Sequence, residues 1–167
     1  EALPDAGDIV AVSGEAMLQR IEAGITELLD QGFSPISLGG DHAITFPVMR
    51  AYAKRYRRLS ILHFDAHPDL YDELDGNRWS HACPFTRIME EGLVERLVQV
   101  GIRDYCEEEL QLILASNGRI KTFFDRDIKH TQFNGDSWDR ICNRIIAELP
   151  QNIYLSFDID GLDPKLC

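Results

Sequence analysis

No apolar run in the 167 residues approaches membrane-spanning length: stretches such as Leu59 to Leu62 and Ile153 to Phe157 are strand-sized, and no signal-peptide pattern opens the chain. A globular cytoplasmic protein with no membrane partner is the expectation. Cysteine is sparse. Cys83, Cys106, Cys142 and Cys167 show neither CxxC spacing nor a paired framework, which speaks against a zinc ribbon or a disulfide scaffold and reads as reduced thiols. Positive charge is scarce too. With 17 Lys and Arg against 28 Asp and Glu, the formal charge is −11, so no basic face is expected for nucleic acid. The balance suits a cationic partner, although most surplus carboxylates read as solvated helix faces. Phosphate-loop patterns are missing, so Gly39, Gly40 and Gly101 read as tight turns at strand ends.

What is present is a 44% hydrophobic composition, enough for the core of one domain over 1–167, and a regular alternation of periodicities. Met17, Ile21, Ile25, Leu28 and Leu29 recur at helical spacing within 14–30, and Gly32 follows as a stop signal. The pattern then predicts a strand over 34–38, a helix over 44–56 with Pro47 in its first turn, and a strand over 59–64. A long polar loop, 65–80, comes next. Beyond it the expectation is helix 84–91, strand 96–102, helix 107–116, strand 120–124, helix 137–149 and strand 153–157. Such alternation indicates an α/β fold, an open doubly wound parallel sheet with helices on both faces. Ligands in this architecture bind beyond the carboxyl ends of the strands, where strand order reverses.

The segments after the strands are Gly39-Gly40-Asp41-His42, Asp65-Ala66-His67-Pro68-Asp69, Gly101-Ile102-Arg103-Asp104, Asp125-Arg126-Asp127 and Asp158-Ile159-Asp160. Asp65, His67 and Asp69 alternate, so in an extended segment they share one face. Asp158 and Asp160 repeat that spacing, and His42 lies shortly past another strand. One such pair alone is often a turn or a helix cap. All six together are not explained by capping. Four carboxylates crowded on one rim would repel and raise one another's pKa values unless cations sit between them. Two divalent ions and a bridging hydroxide would leave one residual negative charge, suited to a guanidinium. Oxygen-rich ligation without thiolate favours Mn²⁺ over structural Zn²⁺.

The stretches from Gly39 to Thr45, from Phe64 to Tyr71 and from Ser156 to Pro164 resemble, in order, the three signatures of the ureohydrolase (arginase/agmatinase) family. The resemblance implies two Mn²⁺ ions bridged by Asp65 and Asp158, with His42 and Asp69 completing one and His67 and Asp160 the other. It further implies attack of a metal-bridging hydroxide on a guanidinium carbon, releasing urea and an amine, with agmatine to putrescine as the leading case. A trimer or hexamer is the implied assembly.

His81 matches the family's proton-shuttle histidine, against the plain alternative of a surface or capping residue. His63, inside an apolar strand, reads as a buried hydrogen-bonded core residue, and His130 as a residue of a polar loop. Tyr71 stands where arginases tend to carry asparagine, and Cys106 where they carry an aspartate that binds the α-ammonium group. Both departures point from arginine toward agmatine. Asp104 reads equally as a cap for the following helix. Guanidinobutyrase, arginase and formimidoylglutamase activities are the alternatives within the family. Family members continue beyond the last motif, and Glu1-Ala2-Leu3 reads as mid-chain, so a truncated catalytic domain lacking its C-terminal part and an N-terminal strand is expected. A catalytically incomplete metal-binding or assembly fragment is the reading from another class.

Overall fold

The apolar runs at 59–64, 96–102, 120–124 and 152–157 become strands β1 (Leu59–Phe64), β2 (Arg96–Ile102), β3 (Ile120–Phe124) and β4 (Asn152–Phe157). In the computed structural model, which describes residues 4–10, 14–163 and 165, all pairings between them are parallel and the sheet order is β3-β2-β1-β4. From β1 the chain steps outward to β2 and β3, then returns to lay β4 on the far side of β1. This reversal opens a crevice between the carboxyl ends of β1 and β4.

Helices cover both faces because side chains alternate along each strand. Leu59 and Ile61 of β1, Leu97 of β2 and Ile120 of β3 face one side. They pack there against α1 (Glu15–Asp30), α2 (Thr45–Arg55), α3 (Pro84–Glu90) and α4 (Glu107–Ala115). The opposite face buries Val98 and Val100 against Ile128 of α5 (Asp125–Phe133) and Ile141 and Ile145 of α6 (Trp138–Ile146). Toward the carboxyl end the first face turns polar. His63 sits in register with Gln99 and with Ser156, and Gln99 with Thr122, so each of the four strands contributes one polar residue to a single row.

Two expectations fail. Residues 33–39 form no ladder: Ile36 and Leu38 are exposed, Pro35 lacks a donor, and no described strand pairs with them. Asp125-Arg126-Asp127 is not a strand-end loop but the first turn of α5, which also places His130 in a helix. Only Ile128 of α5 is buried, too little apolar periodicity to betray a helix. Cys83, Cys106 and Cys142 are free thiols, while Pro164 and Cys167 lie outside the described residues.

Candidate metal centre

Backbone contacts at the β1/β4 crevice fix where the acidic side chains start. The Asp158 N–H donates to the Phe64 carbonyl at 2.9 Å, and the Ala66 N–H donates to Asp160 Oδ1 at 3.1 Å. A Cβ on Gly161 would stand 2.9 Å from the Asp65 nitrogen, and one on Gly101, whose φ is +96°, would stand 3.2 Å from the Asp65 carbonyl oxygen. Two glycines therefore let neighbouring backbone close on Asp65 from either side. Arg103 donates to the carbonyls of Asp160 and Leu162, tying down the 3₁₀ turn Ile159–Gly161 that follows Asp158. Asp41 caps the 3₁₀ turn His42–Ile44 through the Ala43 N–H at 2.9 Å, which sets the position of His42. Asp69 adopts φ +53°, a left-handed conformation that Asp tolerates better than most residues.

The side chains form two sets that share one carboxylate. His42 Nδ1 lies 3.2 Å from Asp65 Oδ2, 3.0 Å from Asp69 Oδ2 and 3.3 Å from Asp158 Oδ2. His67 Nδ1 lies 3.4 Å from the other oxygen of Asp65 and 3.2 Å from Asp160 Oδ2. Asp65 is buried and offers one oxygen to each set, whereas His67 is exposed. The His42 Nδ1 atom is buried with no hydrogen-bond partner of good geometry, although three carboxylate oxygens surround it. An imidazole nitrogen and carboxylate oxygens aimed at a common point fit a cation: His42, Asp65 and Asp69, with His63 beside them, could hold one, and Asp65, His67 and Asp160 another, while Asp158 reaches the first group through its contact with His42.

Charge and burial oppose one another here. Burial pulls the His42 pKa down, but the adjoining carboxylates of Asp65 and Asp69 outweigh it and raise the value to about 10. Burial pushes the Asp65 carboxyl up, yet the adjoining imidazoles of His42 and His63 hold it well below the usual carboxylate range. Asp69, by burial first, is raised. Asp160 is raised for the same reason, reinforced by the charges of Asp65 and Asp158.

The Arginase family profile matches residues 2–167. The chain belongs to the arginase family. It is 42% identical over 135 residues to a mitochondrial arginase of Medicago truncatula, covering 79% of this chain and 37% of that protein. An agmatinase of Neisseria meningitidis is 35% identical over 168 residues, covering 96% and 49%. The solved arginase structure from Medicago truncatula superposes with a TM-score of 0.76 at 36% identity, over 92% of this chain and 47% of that one. The chain thus spans half or less of the length of these relatives.

Around this arginase-family core the remaining sequence expectations sort themselves. His81 is exposed, and among the described residues its one direct hydrogen bond is a long 3.4 Å contact between its Nδ1 and Ser80 Oγ. It does not cap α3, whose N-cap is Cys83. Nor does Asp104 cap α4: the N-cap is Cys106, and Asp104 instead reaches His67 Nε2 at 3.7 Å. Tyr71 and Cys106, far apart in sequence, are neighbours, and Cys106 is the first cause of a Tyr71 pKa above the ordinary value.

Sequence reasoning missed a supporting layer. His63 is fully buried and hydrogen-bonded as expected, but its partner is Asp65 Oδ2 at 2.8 Å, and burial holds its pKa below the ordinary value. Ser156 Oγ stands 2.9 Å from His42 Nε2. Glu109 of α4, also buried, accepts from the Leu70 and Cys106 amides at 3.0 Å each, anchoring the loop next to Asp69. One signal was available: His63-Phe64-Asp65 and Ser156-Phe157-Asp158 each place a polar residue two positions before the aspartate, on the same face of an apolar strand.

Proposed function

We propose that the protein is a dinuclear manganese ureohydrolase that cleaves a small guanidinium compound to urea and an amine, with agmatine its preferred substrate. The observation that carries this reading is the pair of His/Asp sets joined through Asp65, one oxygen to each. His42, Asp65, Asp69 and Asp158 would hold one Mn²⁺, and Asp65, His67 and Asp160 the other, with Asp158 proposed to serve both. A bound pair of dications would supply hydroxide near neutral pH, which a resonance-stabilised guanidinium requires.

The carboxylates leave the site net negative and so attract the cationic substrate. Water adds to the guanidinium carbon, the carbon–nitrogen bond to the alkyl amine breaks, and that nitrogen takes up a proton. His81, exposed and free of a strong partner among the described residues, is the group proposed to deliver it. Tyr71 and Cys106, which by the family resemblance stand where arginases carry groups for the α-substituents, are neighbours in the fold, which supports this choice. Neither carries a formal charge as the neutral form, so arginine's buried carboxylate and ammonium would go unpaired there.

Arginine is the second reading, favoured by the 42% identity to a plant arginase. Urea release by the full-length, Mn²⁺-loaded protein separates the two. Turnover of agmatine should exceed that of arginine by a wide margin, and faster release from arginine would reverse the assignment. Some plant relatives are named as mitochondrial, so cell fractionation rather than composition decides the compartment.

A further inference from the structure

The polar row at the carboxyl end of the sheet, in which His63, Gln99 and Ser156 are buried and Thr122 half-buried, contains a hydrogen-bond chain that crosses three strands. Thr122 Oγ1 on β3 lies 3.0 Å from Gln99 Oε1 on β2. The Gln99 amide nitrogen lies 2.8 Å from the Pro68 carbonyl and 3.2 Å from His63 Nδ1 on β1. His63 Nε2 lies 2.8 Å from Asp65 Oδ2. Gln99 and His63 are both fully buried, so no water competes for these groups.

The direction of every bond in the chain follows from one atom that cannot donate. The Pro68 carbonyl can only accept, so the Gln99 atom facing it must be the NH₂ group. That orientation leaves Gln99 Oε1 toward Thr122, whose hydroxyl donates. The second amide hydrogen is then directed at His63 Nδ1, which must be the unprotonated ring nitrogen. Nε2 consequently carries the hydrogen and donates it to Asp65. Both ring nitrogens being occupied, His63 lies beside the candidate metal centre without being free to ligate.

Resting on the metal reading above, we infer that Thr122 and Gln99 are positioning residues that lock His63 as the Nε2–H donor and so hold Asp65 with its two oxygens divided between the two metal positions. Gln99 acts twice. Through Pro68 it also restrains the turn between His67 and Asp69, so one amide governs groups in both sets. Residues beyond the ligands that orient them in this way commonly change metal affinity by about 10- to 100-fold when removed.

Mn²⁺ binding to the full-length protein, followed through the free-ion EPR signal with circular dichroism melts alongside, tests this without recourse to activity. Gln99→Met keeps the side-chain length but donates nothing, and should weaken Mn²⁺ binding by about 10- to 100-fold. Thr122→Val should weaken it less, Thr122→Ser should restore the wild-type value, and Thr122→Val should add nothing in a Gln99→Met background. Wild-type affinity in both Gln99→Met and Thr122→Val, or a Thr122→Val effect that persists undiminished without Gln99, overturns the inference. So does a Thr122→Ser protein as weak as Thr122→Val. A wild-type protein that takes up no Mn²⁺ overturns the metal reading together with it.

Discussion

At the scale of single residues, the histidines of this chain take their roles from what their nitrogens meet. His81 touches no carboxylate of the centre and caps no helix, so its replacement should leave the framework alone. His81→Asn in the full-length protein should retain Mn²⁺ and its melting temperature while turnover falls by about 10²–10⁴-fold, as for loss of a positioned acid. Wild-type turnover in that variant would remove His81 from the proposed reaction. His42 behaves oppositely. In protein stripped of metal by a chelator, burial disfavours its charged form, but Asp65 and Asp69 prevail and keep it protonated up to about pH 10. A cation must displace that proton, so Mn²⁺ binding should strengthen as pH rises toward 10 and should release protons to the buffer. Calorimetry in buffers of different ionisation enthalpy measures the release. The sign for folding is the reverse: a raised histidine pKa stabilises the chelated protein fully below about pH 6.5 and loses that contribution as pH climbs through the folded value.

Between elements, the geometry depends on close approach of β1, β4 and α4. Adding a methyl group at Gly161 would set carbon 2.9–3.2 Å from the backbone of Phe64 and Asp65, which cannot swing aside as a side chain could. Gly161→Ala should therefore cost about 1–3 kcal/mol and weaken Mn²⁺ binding at the same time, because the displaced atoms carry Asp65. Unchanged Mn²⁺ affinity in a destabilised Gly161→Ala protein would show that the sheet relaxes without moving the carboxylate. Glu109 joins α4 to the loop beside Asp69 by accepting from two amides in a buried setting. Glu109→Ala leaves both N–H groups without an acceptor, about 1–3 kcal/mol each, and denaturant melts should register the loss. Exposed pairs such as Arg58 with Glu95 should contribute little by comparison.

For the molecule as a whole, the centre concentrates like charge on one rim of a chain already at −11. Cations placed between those carboxylates relieve the repulsion only in the folded state, so binding and stability must be linked. Free Mn²⁺ at about 100 times its dissociation constant should add about 2.7 kcal/mol per site, raising the melting temperature, whereas Asp65→Asn should abolish most of that rise. Equal Mn²⁺-induced shifts in the wild type and Asp65→Asn would mean that the ion binds elsewhere.

Periodicity and motif spacing sufficed for α1, for the four paired strands and for the position of Asp65, His67, Asp69, Asp158 and Asp160 just after β1 and β4, because those signals are local, whereas His42 opens a 3₁₀ turn with no described strand before it. β1 and β2 are buried at nearly every position and so read as short continuous apolar runs, and ligand-type residues two apart share a face wherever the backbone is extended. Ladder pairing and cross-strand partnership are not local. Residues 34–38 look like a strand in isolation but pair with no described strand, and α5 hides its helicity because only one of its residues is buried. Likewise His63, Gln99 and Thr122 are unremarkable polar residues in three separate apolar segments. Only the parallel register of β1, β2 and β3 lines them up, and only burial, by excluding water, makes each hydrogen-bond direction depend on the next.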